Sequence, residues 1–227
     1  MAELIRGLQA ARVRANLEAL RAEVAAAAVR AGRDPAGVEV CAATKYVPLE
    51  EMPALAEAGI AVVGENRAQD LETKIAAHGA RFGWDFIGQL QSRKVKLIVP
   101  HVRLIHSLAS ESALRQLERH ATTARPGLEA LVEVNVSGEA GKAGVEPDAL
   151  SDYLAPSPLG GRVPITGLMT MPPLAGDPET SRPYFARLRE LAAAHGLARL
   201  SMGTTQDYAV AVEEGATIVR IGTRLYG

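Results

Sequence analysis

Residues 38–87 read VEVCAATKYVPLEEMPALAEAGIAVVGENRAQDLETKIAAHGARFGWDFI, and the fold is decided here. A strand-sized apolar run, Val38–Ala43, gives way to a helical pattern, Leu49–Ala58, that stops at Gly59. A second run, Ile60–Val63, leads into Arg67–His78 with Gly79 behind it, and Trp84–Ile87 starts the cycle again. Glycine directly after a periodic stretch is common helix-stop chemistry. Short apolar runs alternating with helices demand parallel strands joined by helical crossovers.

The same beat continues to the end of the chain. Further strand-sized runs are Val102–Ile105, Leu131–Val136, Ile165–Met169, Leu197–Met202 and Thr217–Ile221. Helical patterns lie between them at Ser92–Val99, Glu111–Ala124, Pro147–Leu154, Thr180–His195 and Gln206–Glu214. Tyr184, Leu188 and Leu191 are the expected buried stripe of the Thr180 helix. Residues 3–31 also read as a helix, with Val13, Leu17, Leu20, Val24 and Ala28 on one face and Gly32 as its stop. Eight strands in 227 residues fit a closed (β/α)8 TIM barrel with an additional N-terminal helix, an α/β fold. The runs are apolar on both faces, as strands covered on both sides should be. An open doubly wound sheet is the alternative. Ser157–Gly161 and Pro172–Pro178 read as loops too short to separate domains, so residues 1–227 are expected to form one domain.

Composition narrows the class. The chain is 48% hydrophobic and 22% charged, with 25 basic and 26 acidic residues and a net charge of −1. That balance gives no electrostatic case for nucleic acid or an anionic membrane. Cys41 is the only cysteine, so no intramolecular disulfide can form and a reducing cytoplasm is expected. Charges are scattered through AELIRGLQAARVRANLEAL at the N-terminus, which leaves no signal-peptide core. No run approaches the roughly 18 apolar residues of a membrane span. No large apolar surface stripe is evident, and a monomer is expected.

Barrels of this kind carry their sites at the C-terminal ends of the strands. Those positions hold Thr44-Lys45-Tyr46, Gly64-Glu65-Asn66, Gly88, His106-Ser107, Asn135, Met169-Thr170, Ser201-Met202-Gly203-Thr204-Thr205 and Arg220-Ile221-Gly222-Thr223. Lys45 follows Cys41 and Ala43 on one strand face, and these small neighbours leave room for a planar ligand. Schiff-base chemistry needs a neutral amine, favoured by desolvation or a nearby cation such as Arg220. The plain alternative is a solvent-facing lysine. Arg220 interrupts an apolar strand and must meet an acceptor, either a ligand or a carboxylate such as Glu39 or Glu133. The turns around Thr204-Thr205 and Gly222-Thr223 suit phosphate, although Thr204 or Thr205 could simply cap the next helix. Met169 and Met171 read as core and rim packing, His106 as a satisfied structural histidine, Cys41 as a small filler, and residues 137–144 as a rim loop. No metal-ligand spacing and no nucleophile elbow is present.

With these residues in view, the sequence resembles the pyridoxal-phosphate homeostasis protein family, single-domain relatives of the alanine-racemase barrel. The carriers are Ala43-Thr44-Lys45, Gly64-Glu65-Asn66, Phe86-Ile87-Gly88 with Leu90-Gln91 and Lys94, and Glu133-Val134-Asn135-Val136. Lys142 with Gly144, Gly167-Leu168-Met169, Ser201-Met202-Gly203 and Val219-Arg220-Ile221-Gly222-Thr223 complete the set. The resemblance implies pyridoxal 5′-phosphate held as an internal aldimine on Lys45, with Arg220 facing the pyridine nitrogen. It implies a phosphate held by Ser201, the Gly203–Thr205 turn and Gly222-Thr223, with Asn66 lining the pocket and no catalytic residue. Three departures stand out: Thr204-Thr205 where Met-Ser is usual, Asp85 for histidine, and Arg93 for asparagine. The sequence stops at Tyr226-Gly227, directly after the last strand, so the further domain that racemases use for proton transfer is not expected. The expected function is therefore non-catalytic carriage or buffering of the cofactor, with transient contact to the apo-enzymes that use it. A pyridoxal-phosphate racemase and a cofactor-free Schiff-base aldolase are the alternatives.

Overall fold

In the computed structural model, residues 4–155 and 162–227 are described. Eight parallel strands close into a barrel in chain order. They are β1 (Glu39–Ala43), β2 (Val62–Glu65), β3 (Gly83–Phe86), β4 (Leu104–Leu108), β5 (Glu129–Glu133), β6 (Ile165–Met169), β7 (Arg199–Ser201) and β8 (Ile218–Ile221). Closure is made by β1 against β8, where Glu39 to Ala42 pair with Ile218 to Ile221. The open-sheet alternative is thereby excluded.

Helices α1 (Ala10–Arg30), α2 (Met52–Glu57), α3 (Ala68–His78), α4 (Val95–Ile98), α5 (Glu111–His120), α6 (Leu150–Leu154), α7 (Arg182–Ala194), α8 (Tyr208–Glu213) and α9 (Thr223–Tyr226) surround it. Two apolar clusters result. The larger lies between sheet and helices; the smaller fills the barrel interior with Cys41, Val62, Leu104, Leu131, Met169 and Ile218. Helix α1 buries Val13, Leu17, Leu20, Val24, Ala27 and Ala28. It ends as its sequence predicts. Gly32 takes φ +67°, its N–H donates to the Val29 carbonyl, and the Arg33 N–H donates to the Ala28 carbonyl.

Several boundaries differ from expectation. Helix α1 begins at Ala10 rather than near residue 3, which lies outside the described residues. The reason is local: the Gly7 and Leu8 N–H groups donate to the Glu51 carboxylate, and the Ile5 N–H donates to the Tyr46 carbonyl. Strands β2 and β4 run on past their apolar runs, because Glu65 and His106 find polar partners inside the protein. The buried stripe of α7 is Phe185, Leu188 and Ala192, whereas Tyr184 and Leu191 are only half-buried. Helix α9 follows β8 directly and was not anticipated. The segment Pro172–Asp177 is a loop as expected; the one expected at Ser157–Gly161 lies outside the described residues. Among the described residues no helix is long and apolar enough to cross a membrane.

Candidate cofactor site

A cavity of about 690 Å3 opens at the C-terminal end of the barrel. Six of the eight expected residues line it: Lys45, Asn66, Thr205, Arg220, Gly222 and Thr223. Ser201 and Gly203 are absent from that wall.

Lys45 sits in the turn after β1, with its amine 4.6 Å from the centroid of the Tyr46 ring. The peptide bond that launches it is anchored from behind. Lys74 Nζ donates to the Thr44 carbonyl at 2.8 Å and pairs with Glu65, whose carboxylate also accepts from the Thr44 hydroxyl at 2.6 Å. A buried ion pair thus holds the backbone from which an exposed lysine reaches the cavity.

Asn66 follows β2, and its Oδ1 is buried without a hydrogen-bond partner among the described residues. Gly88 lies against it so closely that a Cβ there would stand 2.0 Å from the Asn66 carbonyl oxygen. Gly88→Ala should therefore displace the Asn66 segment and cost about 1–3 kcal/mol as overpacking does. Urea unfolding checks this; an unchanged midpoint would show that the two strands separate freely.

Arg220 is 6% exposed and presents one edge to the cavity. Its Nη1 donates to the Ser201 carbonyl at 2.8 Å and hydroxyl at 2.6 Å, and its Nη2 to the Thr170 carbonyl at 3.0 Å. The carboxylate partners considered for it are otherwise placed: Glu39 binds Arg103, and Glu133 stands on the cavity wall beyond ion-pair distance. Ser201 is a support beneath Arg220. Gly203 has φ +89° and lies where a Cβ would come 2.5 Å from the Ala211 side chain, so its glycine serves packing against α8. Thr205 Oγ1 accepts from the Gly222 N–H at 3.2 Å, bridging the turns after β7 and β8. The Thr204 hydroxyl is engaged by Asp207 at 3.1 Å. Neither threonine caps α8.

Met169 belongs to the interior cluster and Met171 is exposed at the rim, as expected of packing residues, and both also touch the cavity. Glu133 was missed as a wall residue. Burial raises its carboxyl pKa, with Arg220 and Lys142 opposing. Its signal was its spacing: alternation on β5 puts it on the inward face with Leu131.

His106 is fully buried, with Nδ1 2.8 Å from Ser201 Oγ and Nε2 3.1 Å from Asp85 Oδ2. Burial lowers its pKa, although Asp85 opposes this. The folded state then binds fewer protons than the unfolded chain, whose histidine titrates near about 6.5. Its contribution to stability is present above that pH and is lost as pH falls below it toward the lowered folded value. The wild type should lose at most about 1.4 kcal/mol per pH unit from this source, and His106→Gln should flatten that part of the profile. Urea titrations at several pH values of both proteins check the difference.

Among the described residues no group of three His, Cys, Asp or Glu side chains is placed to hold a metal ion. Residues 12–227 match the family of the alanine racemase N-terminal domain. A pyridoxal phosphate homeostasis protein of Aquifex aeolicus is 42% identical over 205 residues, covering 87% of this chain and 90% of the relative. The chain belongs to the pyridoxal phosphate homeostasis protein family. A solved structure of PipY from Synechococcus elongatus, with pyridoxal phosphate bound, superimposes with a TM-score of 0.79 at 29% identity, covering 95% of this chain and all of that one. Alanine racemase from Bartonella henselae matches with a TM-score of 0.73 at 14% identity, over all of this chain and 61% of that one, a likeness of fold. Family membership and barrel thus agree with the resemblance read from the sequence.

Proposed function

We propose that this protein carries and buffers pyridoxal 5′-phosphate through Lys45, without catalysing a reaction on it. The observation that carries the reading is the convergence, in one cavity, of an exposed amine, a buried guanidinium and two bridged turns with hydroxyl and amide groups. The cofactor fits these residues. Asn66 Oδ1 is a buried acceptor without a donor among the described residues, and a Cβ at Gly222 would stand 3.9 Å from the Ala43 Cβ, so the turn after β8 is not crowded. Thr205, Gly222 and Thr223 would hold the phosphate, Asn66 would line the ring, and Arg220 would face its nitrogen. When bound, the group supplies an aldehyde that condenses reversibly with amines.

What the chain does with it follows from its own side chains. Lys45 reaches the cavity from an anchored backbone and supplies the amine. Arg220 is a permanent donor with no acceptor capacity, so it keeps a proton off the nitrogen it faces. That weakens the electron-sink character on which carbanion chemistry depends. The curated relatives are named for homeostasis rather than for a reaction, which supports the same conclusion over a racemase or an aldolase.

Delivery by transient contact with acceptor apo-enzymes, a monomeric state and a cytoplasmic location complete the reading. Large exposed apolar side chains among the described residues are Leu4, Val29, Met171 and Leu174, too few for an obligate interface. The test is to load the protein, reduce it with borohydride and map the modified peptide. Modification at Lys45 is expected. An unmodified chain, or a label elsewhere, overturns the assignment.

A further inference from the structure

Arg220 is a buried cation with no carboxylate within ion-pair reach among the described residues. Its acceptors are two carbonyls and one hydroxyl. Behind that hydroxyl a row of polar side chains crosses the barrel interior. Ser201 Oγ meets His106 Nδ1 at 2.8 Å, and His106 Nε2 meets Asp85 Oδ2 at 3.1 Å. Asp85 in turn meets Arg103, with Nε 2.8 Å from Oδ1 and Nη2 3.0 Å from Oδ2, and Arg103 also holds Glu39. Four strands contribute: Asp85 from β3, His106 from β4, Ser201 from β7 and Arg220 from β8.

The directions of these hydrogen bonds follow by elimination. The Asp85 carboxylate only accepts, so the hydrogen lies on His106 Nε2. Full burial disfavours the imidazolium, so the ring is neutral and Nδ1 carries a lone pair. Ser201 has a single hydroxyl hydrogen, and Nδ1 takes it. The Ser201 oxygen is left to accept from Arg220. Every bond therefore points from Arg220 toward Asp85.

We propose that Asp85, His106 and Ser201 are positioning residues beneath the cavity, a one-way hydrogen-bond row that aims the Arg220 guanidinium and relays to it the counter-charge of Asp85. None of the three lines the cavity, so they act through Arg220. The consequence for cofactor retention rests on the function proposed above; the direction of the row does not.

Two measurements test it. In cofactor-free protein labelled with 15N-histidine, NMR should show His106 with a protonated Nε2 and an unprotonated Nδ1. In Ser201→Ala, the Arg220 side-chain N–H groups should exchange faster with solvent. The Kd for pyridoxal phosphate should rise about tenfold, as for loss of a hydrogen bond to a charged group. Asp85→Asn, which keeps the shape and removes the charge, should shift both readouts the same way. A merely structural Ser201 would lower the melting temperature and leave Arg220 exchange unchanged, and that result overturns the proposal. So does a His106 found protonated at Nδ1. If the wild type takes up no pyridoxal phosphate while the histidine signals are as expected, the proposed function falls and the row's direction stands.

Discussion

Lys45→Ala should yield a folded barrel that no longer retains pyridoxal phosphate through a reducible covalent bond. The side chain is exposed, so its loss removes no core packing, and stability should change by no more than about 0.5 kcal/mol. The turns after β7 and β8 are untouched, so the variant should keep a weaker, reversible affinity for the phosphate end. Intact mass after borohydride reduction separates the two forms, and visible absorbance follows the covalent one. A reduced adduct persisting on the variant would transfer the role to another amine, and Lys142 on the neighbouring rim would be the first to examine.

Lys74→Met should have the largest effect on stability. Glu65 is completely buried, and Lys74 is its cationic partner. Removing one member of such a pair strands the other and costs about 3–5 kcal/mol. Ordinary domains are stable by about 5–15 kcal/mol, so the variant approaches the limit of folding at physiological temperature. The double change Lys74→Met with Glu65→Leu should recover much of the loss, because no charge is then left uncompensated. Urea unfolding of the two single variants and the double variant closes a thermodynamic cycle. A single variant with the wild-type midpoint would mean that water reaches Glu65.

The barrel was legible because its strands are apolar on both faces and separated by glycine- or proline-stopped helices, a pattern few other folds produce. Boundaries were less so. Glu65 and His106 look like strand-ending residues, and only the partners across the barrel show why they are not. That Lys45, Asn66 and the two last turns line the cavity was legible from their positions after strands, and that Arg220 does so from its place within an apolar strand. The supporting roles were not. That Ser201 holds Arg220, or that Asp85 faces His106, depends on which inward side chains of non-neighbouring strands meet, and a linear sequence carries no such information. The departure Asp85 was visible, yet its partners Arg103 and His106 became known only with the barrel closed.

The pairing of β1 with β8 places the Lys45 turn beside the strand that carries Arg220, joining the two ends of the chain. Contacts so distant in sequence carry the entropic cost of closing a long loop. A chain still emerging from the ribosome can expose the lysine, but it has no arginine opposite and lacks the turns after β7 and β8. On the function proposed above, uptake of the vitamin would report finished folding, because the amine and the guanidinium meet only once the last seam is sealed.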